Sequence, residues 1–231
     1  MTTDQYFGRW MQVIDKNELS KVYNFIKGQK VIYPSKKNVF RAFHLCDYDN
    51  CRLIVVGQDP YSNGRATGLA FANSKSIPED KLSPSLEKVK DSLTRDRISW
   101  KSITFDQTLE SWAAQGALLL NATLTVAPNR PLSHYLYWRQ FMVSLFRNLS
   151  EKRTGMVYVL MGAQAKELAE YINASTNHVL TCEHPAYYCR KQIPMPNILE
   201  EANNILYSLN GDKINFINHE YQNSECPPEG I

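Results

Sequence analysis

The chain has 231 residues, of which 43% are hydrophobic and 21% are charged. This composition is typical of a soluble globular protein, and we expect a single domain covering residues 1–231. The sequence contains no apolar run of about eighteen residues and no basic-then-apolar leader, which argues against a membrane span and a secretory signal. We therefore expect an intracellular protein, cytoplasmic or, in a eukaryote or its virus, nuclear. The formal net charge of +3 permits binding to a polyanion but does not indicate it.

The chain begins with two predicted amphipathic helices. Apolar residues recur at i, i+3, i+4 and i+7 from Phe7 to Ile14, and again from Leu19 to Ile26. A run of mostly β-branched residues without alternation follows, from Leu53 to Val56, and stops at Gly57. This run predicts a strand that is buried on both faces of a parallel sheet.

Strands and helices then alternate to the end of the chain. Ser83 and Pro84 offer a cap and a first-turn proline for a helix. Further apolar runs and helical stripes predict three more strands (117–120, 156–161 and 178–182) and four more helices (109–113, 138–149, 168–172 and 198–209). We therefore predict an α/β fold, a single-domain three-layer α/β/α arrangement with a central four-stranded parallel sheet.

Polar side chains follow several of these strands. Gln58, Asp59 and Tyr61 come after the first strand, Asn121 ends the second, and His184 follows the fourth. Because the carboxyl ends of parallel strands meet at one edge of a sheet, we expect these side chains to share a ligand-binding rim. The competing interpretation is that Asp-Pro is only a turn dipeptide.

The five cysteines do not indicate a metal site. They are odd in number and widely spaced, and they include no CxxC pair (Cys46, Cys51, Cys182, Cys189 and Cys226). This pattern argues against a disulfide framework and a zinc ribbon. Cys182, His184 and Cys189 cluster in sequence, but a fourth ligand at suitable spacing is missing. We expect reduced thiols, no metal and no cofactor.

Residues 53–61, LIVVGQDPY, resemble the water-activating motif of the uracil-DNA glycosylases. Further matches occur in the family's order at 68–71 (GLAF), 118–121 (LLLN), 124–126 (LTV) and His184-Pro185. The resemblance implies a monofunctional DNA repair enzyme that flips uracil out of single- or double-stranded DNA and excises it by hydrolysis, leaving an abasic site. We expect a monomer. The sequence leaves open whether a protein inhibitor or a replication partner also binds.

The predicted catalytic pair is Asp59 and His184. Cleavage of a glycosidic bond builds positive charge on the sugar and negative charge on the departing base, so the site needs one group for each. Asp59 suits the sugar, because a carboxylate can stabilise an oxocarbenium-like centre and orient a water. His184 suits the base, since the resemblance implies a hydrogen bond from its imidazole to uracil O2. Alone, such a histidine would more simply be read as a turn residue before proline.

Four further side chains are predicted to bind uracil. Asn121 can pair with N3–H and O4, where cytosine presents the opposite pattern. The resemblance implies that Tyr61 excludes the methyl group of thymine and that uracil stacks on Phe71. Gln58 can fix the loop and its backbone donors. For Phe71, a core position is an equally reasonable interpretation.

Two groups of residues, together with the loop after His184-Pro185, are predicted to contact DNA. Ser83, Pro84 and Ser85 resemble the family's phosphate-contacting loop, and hydroxyls with helix N-terminal amides suit a phosphate. They can also be read as a simple helix cap. His134 lies where the family has a serine-histidine pair near the pocket.

The clearest departure from the family follows His184-Pro185. The family usually continues Ser-Pro-Leu-Ser, with the leucine wedged into the gap left by the flipped base, whereas residues 186–190 read AYYCR. Tyr188 aligns with the wedge and could stack on neighbouring bases, and Arg190 could replace the lost phosphate contacts. The alternative is that Tyr187 and Tyr188 pack inside the protein.

Two other functions are compatible with the predicted α/β fold. A nucleotide-binding domain is disfavoured, because the chain contains neither GxGxxG after the first strand nor GxxxxGK[ST]. Some viral relatives of the family also serve as scaffold or processivity subunits of a polymerase. The presence of Asp59, Asn121 and His184 favours an active enzyme.

Overall fold

The computed structural model describes residues 2–95 and 100–221, with side chains for 2–95 and 103–218. Its helices are α1 (Thr3–Phe7), α2 (Lys16–Gly28), α3 (Arg41–Leu45), α4 (Pro84–Thr94), α5 (Glu110–Ala114), α6 (Tyr135–Lys152), α7 (Ala163–Lys166), α8 (Pro185–Lys191) and α9 (Ile198–Asn210). Its strands are β1 (Leu53–Gly57), β2 (Trp100–Thr104), β3 (Ala117–Asn121), β4 (Val157–Met161), β5 (His178–Cys182) and β6 (Asn218–Tyr221). Within these ranges no helix is long and apolar enough to cross a membrane.

Four strands form one parallel sheet in the order β3-β1-β4-β5. β1 lies inside it, with Leu53 paired to Ala117 on one side and to Val157 on the other. Every residue of β1, β3 and β4 is buried, because helices cover both faces of the sheet. The predicted four-stranded parallel sheet and its buried first strand are confirmed, and β5 is partly exposed at one edge.

Successive strand residues contribute to two separate cores, since their side chains point to opposite faces of the sheet. Ile54 and Val56 pack with residues of α2, α3 and α6 in the first core. Leu53 and Val55 pack with residues of α4, α5 and α9 in the second core. The three-layer α/β/α prediction is therefore confirmed.

Two segments differ from the prediction. The amphipathic helix expected from Phe7 to Ile14 is instead α1 followed by a 3-10 helix at Gly8–Gln12. Gly8 adopts φ of +54°, which ends the α-helix while leaving Phe7 and Ile14 buried. The helix expected at 168–172 is likewise a 3-10 helix, at Glu167–Tyr171.

A second, two-stranded sheet was not predicted. β2 and β6 pair antiparallel although more than a hundred residues separate them in sequence. The segment before β6 is buried against the second core, where the Phe216 carbonyl accepts a hydrogen bond from Trp112 Nε1 at 3.0 Å. Ile214, Phe216 and Ile217 are therefore buried.

The sheet register brings the polar strand ends together. Gly57, the last residue of β1, pairs with Asn121, the last residue of β3. Gln58 and Asp59 therefore leave the sheet beside Asn121. His184 follows β5 at the same edge, because all four strands run in the same direction.

Candidate active site

A cavity of about 200 Å³ opens at the carboxyl edge of the parallel sheet. All six side chains predicted to act on uracil line it, although they come from separate loops. The sequence-predicted lining residues are Gln58, Asp59, Tyr61, Phe71, Asn121 and His184. The parallel sheet thus gathers into one cavity residues that span more than half of the chain.

Asp59 is held by two hydrogen bonds. Its Oδ2 accepts from the backbone N–H of Leu132 at 2.8 Å, and its Oδ1 accepts from Gln58 Nε2 at 3.1 Å. Burial raises the pKa of the Asp59 carboxyl, and these two hydrogen bonds oppose the rise. Leu132 has φ of +61°, an unfavourable conformation for a leucine. The carboxylate is therefore fixed by a strained loop that the sequence did not indicate.

His184 precedes helix α8 and caps it. Its Nδ1 accepts a hydrogen bond from the backbone N–H of Ala186 at 3.2 Å. In the neutral ring the proton must then be on Nε2, which becomes a donor. Burial, together with the positive charge of Arg190, lowers the pKa of His184 to about 4. The imidazole is therefore neutral at pH 7 and has one fixed donor.

Gly162, directly after β4, makes room for this histidine. A Cβ atom at Gly162 would lie 2.9 Å from the His184 Cβ, and the residue has φ of +98°. Any other amino acid at this position would be strained and would displace His184.

Asn121 presents an unpaired amide to the cavity. The residue is 7% exposed, and among the described residues none hydrogen-bonds to its side chain. Gly57 allows the amide to lie against the sheet, because a Cβ there would be 2.5 Å from Asn121 Oδ1 and 2.9 Å from Phe71 Cζ. The amide uses none of its donors or acceptors within the part of the chain that the structure describes, and it lines the cavity, so these groups are available to a ligand.

Phe71 and Tyr61 form one wall of the cavity. The Phe71 ring centroid lies 5.7 Å from that of His184, with a tilt of 41°. Phe71 has φ of +64°, which is rare for an aromatic residue and occurs most often at functional sites. The Tyr61 hydroxyl donates a hydrogen bond to the Phe71 carbonyl at 2.8 Å. The Tyr61 ring is therefore tied to the backbone of Phe71.

Two side chains predicted to contact DNA are buried instead. Ser83 is 2% exposed and is hydrogen-bonded to Asn73. His134 is buried, and its Nδ1 lies 3.0 Å from Thr125 Oγ1. Both side chains are held by contacts with other segments, Ser83 by Asn73 and His134 by Thr125 and the ring of Phe25. Ser85 lines the cavity and Pro84 is exposed at the first turn of α4.

Tyr188 does not project from the loop after His184. It is 8% exposed and belongs to the second core, because α8 packs its side against α4. This placement favours the alternative interpretation that Tyr188 packs inside the protein. Tyr187 is half-buried, with its ring centroid 5.4 Å from that of Tyr188, and Arg190 is exposed.

The described cysteines are free thiols. Cys46, Cys51 and Cys182 are buried and Cys189 is half-buried, whereas Cys226 lies outside the described residues. The side chains placed in 2–95 and 103–218 include no group of three His, Cys, Asp or Glu suited to a metal ion.

Comparisons with known proteins identify a family and several relatives. A sequence profile described as the uracil DNA glycosylase superfamily matches residues 43–206. The uracil-DNA glycosylase of Campylobacter fetus is 34% identical over 207 residues, covering 85% of this chain and 87% of the relative. That of human herpesvirus 7 is 32% identical over 187 residues, covering 77% and 72%.

Solved structures show the same fold. The crystal structure of mimivirus uracil-DNA glycosylase matches with a TM-score of 0.72 at 17% identity, covering 94% of this chain and 93% of that chain. A mimivirus UNG variant in complex with UGI matches with a TM-score of 0.74 at 20% identity, covering 87% and 81%.

Proposed function

This chain belongs to the uracil-DNA glycosylase superfamily, and we propose that it releases uracil from DNA by hydrolysis through the side chains gathered in the cavity. The bond that breaks joins N1 of uracil to C1′ of the sugar, and the product is an abasic site. The observation that carries the proposal is the position of Asp59, His184 and the unpaired Asn121 amide around a single cavity.

Asp59 acts on the sugar. Its carboxylate stabilises the positive charge that develops at C1′ and orients the attacking water. The Leu132 N–H and Gln58 amide leave lone pairs of the carboxylate available while they hold its position. No metal or cofactor is needed for this step.

His184 acts on the departing base. Its Nε2–H donates to uracil O2, where negative charge accumulates as the bond breaks. Because its pKa is about 4, the ring donates a hydrogen bond at pH 7 without carrying a positive charge. The preorganised donor stabilises the leaving anion more than the bound substrate.

Asn121 and Tyr61 select the base. The amide of Asn121 accepts from N3–H and donates to O4 of uracil, and cytosine offers the reverse pattern at these atoms. Tyr61 lies against C5 and excludes the methyl group of thymine. The base stacks on Phe71. Support comes from the buried position of Phe71 and from the hydrogen bond that the Tyr61 hydroxyl donates to the Phe71 carbonyl.

We propose that the substrate is uracil in single- or double-stranded DNA and that the protein acts as a monomeric single domain in the compartment that holds this DNA. In a duplex the nucleotide must be flipped out, at a cost of about a few kcal/mol. The residues suited to contact the phosphate backbone of DNA are Ser85 and Pro84 at the start of α4 and the exposed Arg190. UGI forms a complex with the mimivirus enzyme variant, and we propose that a protein inhibitor of this kind binds this chain also.

Tyr187 is the aromatic residue that we propose to fill the gap left by the flipped base. It lies on the first turn of α8, where its backbone N–H bonds to the His184 carbonyl at 2.7 Å, and part of its ring is exposed. Tyr187→Ala should slow release from duplex DNA about 5- to 150-fold, the equivalent of the ~1–3 kcal/mol per base measured for stacking on an aromatic ring. Release from single strands, where little flipping is required, should change much less. Single-turnover rates on both substrates measure the difference.

Tyr207→Ala is the matched control, because Tyr207 is an exposed tyrosine of α9. It should leave both rates unchanged. Tyr188→Ala removes a core side chain and should mainly lower Tm. Equal losses on both substrates for Tyr187→Ala, or no loss on duplex DNA, would show that Tyr187 does not hold the vacated stack.

A further inference from the structure

The segment between β3 and α6 holds the Asp59 carboxylate, and we call its residues 127–133 the clamp loop. Two of its backbone N–H groups donate hydrogen bonds to the loop that follows β1. The Leu132 N–H donates to Asp59 Oδ2 at 2.8 Å, and the Asn129 N–H donates to the Ser62 carbonyl at 2.8 Å. Because both donors are backbone groups, the position of Asp59 depends on the shape of the clamp loop.

Leu132 does not prefer the conformation that it adopts in the clamp loop. Its φ of +61° lies in the left-handed region, which leucine rarely occupies. Such a conformation persists only where the surrounding structure holds it. The direction of the Leu132 N–H depends on this conformation, so the contacts that hold the loop closed also keep the donor aimed at Asp59.

The side chain of Ser133 closes the clamp loop. Its Oγ accepts a hydrogen bond from the Ala127 N–H at 2.9 Å, which joins the first residue of the loop to its last. The Ala127 carbonyl accepts from the Arg130 N–H, and the Arg130 carbonyl accepts from the Ser133 N–H, both at a longer 3.2 Å. Ser133 directly follows Leu132, so a displacement of Ser133 reaches the Leu132 backbone through one peptide bond.

Both ends of the clamp loop are anchored without Ser133. Before the loop, Val126 exchanges two backbone hydrogen bonds with Tyr33, at 2.8 and 2.9 Å. After the loop, His134 Nδ1 lies 3.0 Å from Thr125 Oγ1. The Ser133 hydroxyl therefore acts on the residues between these anchors, and its loss should leave the rest of the fold in place.

We propose that Ser133 is a positioning residue for uracil release, because its hydroxyl closes the clamp loop and so keeps the Leu132 N–H on Asp59 and the carboxylate in place. This inference rests on the proposed function, since it requires Asp59 to be catalytic. Ser133 is half-buried and is not among the residues that line the cavity. It acts through Asp59 rather than on the substrate.

The pH dependence of the reaction reports on this role. Burial raises the pKa of the Asp59 carboxyl, and the hydrogen bonds from the Leu132 N–H and from Gln58 oppose the rise. A weaker bond from Leu132 raises the pKa further, because the bond favours the charged form. Activity requires the carboxylate, so its loss on acidification should then begin at a higher pH.

The other titratable groups near Asp59 do not obscure this effect. Tyr61, on the same loop, and His184, beyond β5, also line the cavity. Burial raises the pKa of Tyr61 above its ordinary value and lowers that of His184 to about 4, so both are neutral between about pH 5 and 9. Arg130, in the clamp loop, is exposed and keeps its charge throughout this range.

Ser133→Ala should lower the maximal single-turnover rate of uracil release about 10-fold or more near pH 8, because a small displacement of a catalytic group has a large effect. The enzyme concentration that gives half the maximal rate should change less than about 3-fold, since Asp59 acts on charge that develops in the transition state. The loss of rate should be larger near pH 5.5, where more of the carboxyl is protonated. Ser133→Thr keeps the hydroxyl and should restore both the rate and the pH profile.

Ser150→Ala is the matched control. Ser150 is a buried serine of α6 whose Oγ also accepts a hydrogen bond from the backbone of another segment, the Asn173 N–H at 2.5 Å. This variant should lower Tm and leave the rate and its pH profile unchanged. A purely structural role for Ser133 would give the same result as the control and would overturn the inference.

A double-mutant cycle separates action through Asp59 from any other route. Asp59→Asn removes the charge on which Ser133 is proposed to act, so Ser133→Ala in this background should lower the residual rate less than about 2-fold. A loss of equal size in both backgrounds overturns the inference, and so does a wild-type rate and pH profile in folded Ser133→Ala. Absence of uracil release by the wild-type protein would instead overturn the proposed function.

Discussion

Asp59→Asn should lower kcat for uracil release about 10³-fold, within the range found when a catalytic proton-transfer or charge-stabilising group is removed. The asparagine keeps an oxygen that can accept from the Leu132 N–H, so the loop should hold its shape while the negative charge is lost. Single-turnover kinetics on a uracil-containing oligonucleotide measure the loss. KM should change little, because Asp59 acts on charge that develops in the transition state.

The same substitution should raise Tm at pH 7. Burial raises the pKa of the Asp59 carboxyl above its ordinary value of 3.8. The protonated carboxyl therefore contributes stability below pH 3.8, and this contribution is lost as the pH rises through the folded-state pKa. At pH 7 the wild-type protein has lost this contribution, and the neutral asparagine avoids the loss. The gain in Tm should shrink as the pH is lowered.

Asp212→Asn is the control, because the pKa of Asp212 is shifted in the opposite direction from that of Asp59. Asp212 is exposed and paired with Arg52, and its hydrogen bonds with Lys213 and Arg52 lower its pKa. This variant should keep full activity and should not raise Tm. Activity within about 10-fold of wild type for Asp59→Asn would remove Asp59 from the catalytic pair.

Asn121→Asp should reduce uracil release about 10³-fold or more, because a site built to hydrogen-bond its substrate strongly rejects a mismatch. A carboxylate accepts but cannot donate to uracil O4, whereas the exocyclic amine of cytosine can donate to it. Cytosine release should therefore become measurable, and the uracil-to-cytosine ratio should fall. Rates on otherwise identical uracil and cytosine oligonucleotides measure the change.

Asn177→Asp is the matched control for this prediction. Asn177 is a buried amide that binds the backbone of Met156 and Ser150. It directly precedes β5 and so lies at the amino ends of the strands, whereas the cavity lies at their carboxyl ends. It should lower Tm and leave base preference unchanged. Uracil release by Asn121→Asp at the wild-type rate would mean that the base edge is recognised by another group.

The sequence predicted those parts of the site that side chains at strand ends define. Asp59 and Asn121 follow continuous apolar runs, and His184 follows the predicted strand 178–182. Parallel strands bring such positions to one edge of the sheet. The sheet and these three cavity residues followed from this pattern, whereas Phe71 and the role of Tyr61 were predicted from the resemblance to the family. The N-terminal helix did not, because the conformation of Gly8 ended it early.

The remaining contributions come from groups that leave no pattern in sequence. Leu132 holds Asp59 with a backbone N–H, so its side-chain type does not predict this contact. Tyr188 was assigned by its place in a motif, but the packing of α8 on α4 decides which side of that helix faces the core. The pairing of β2 with β6 likewise depends on a contact between distant segments.

The most direct test of the central claim is release of free uracil from a uracil-containing oligonucleotide by the purified protein, measured with and without EDTA. The account predicts equal release in both conditions, an abasic site as the product, and no strand cleavage by the enzyme itself. Asp59→Asn, folded as judged by circular dichroism, should release almost none. Release that EDTA abolishes, or no release by folded wild-type protein from single-stranded or duplex DNA, would contradict it.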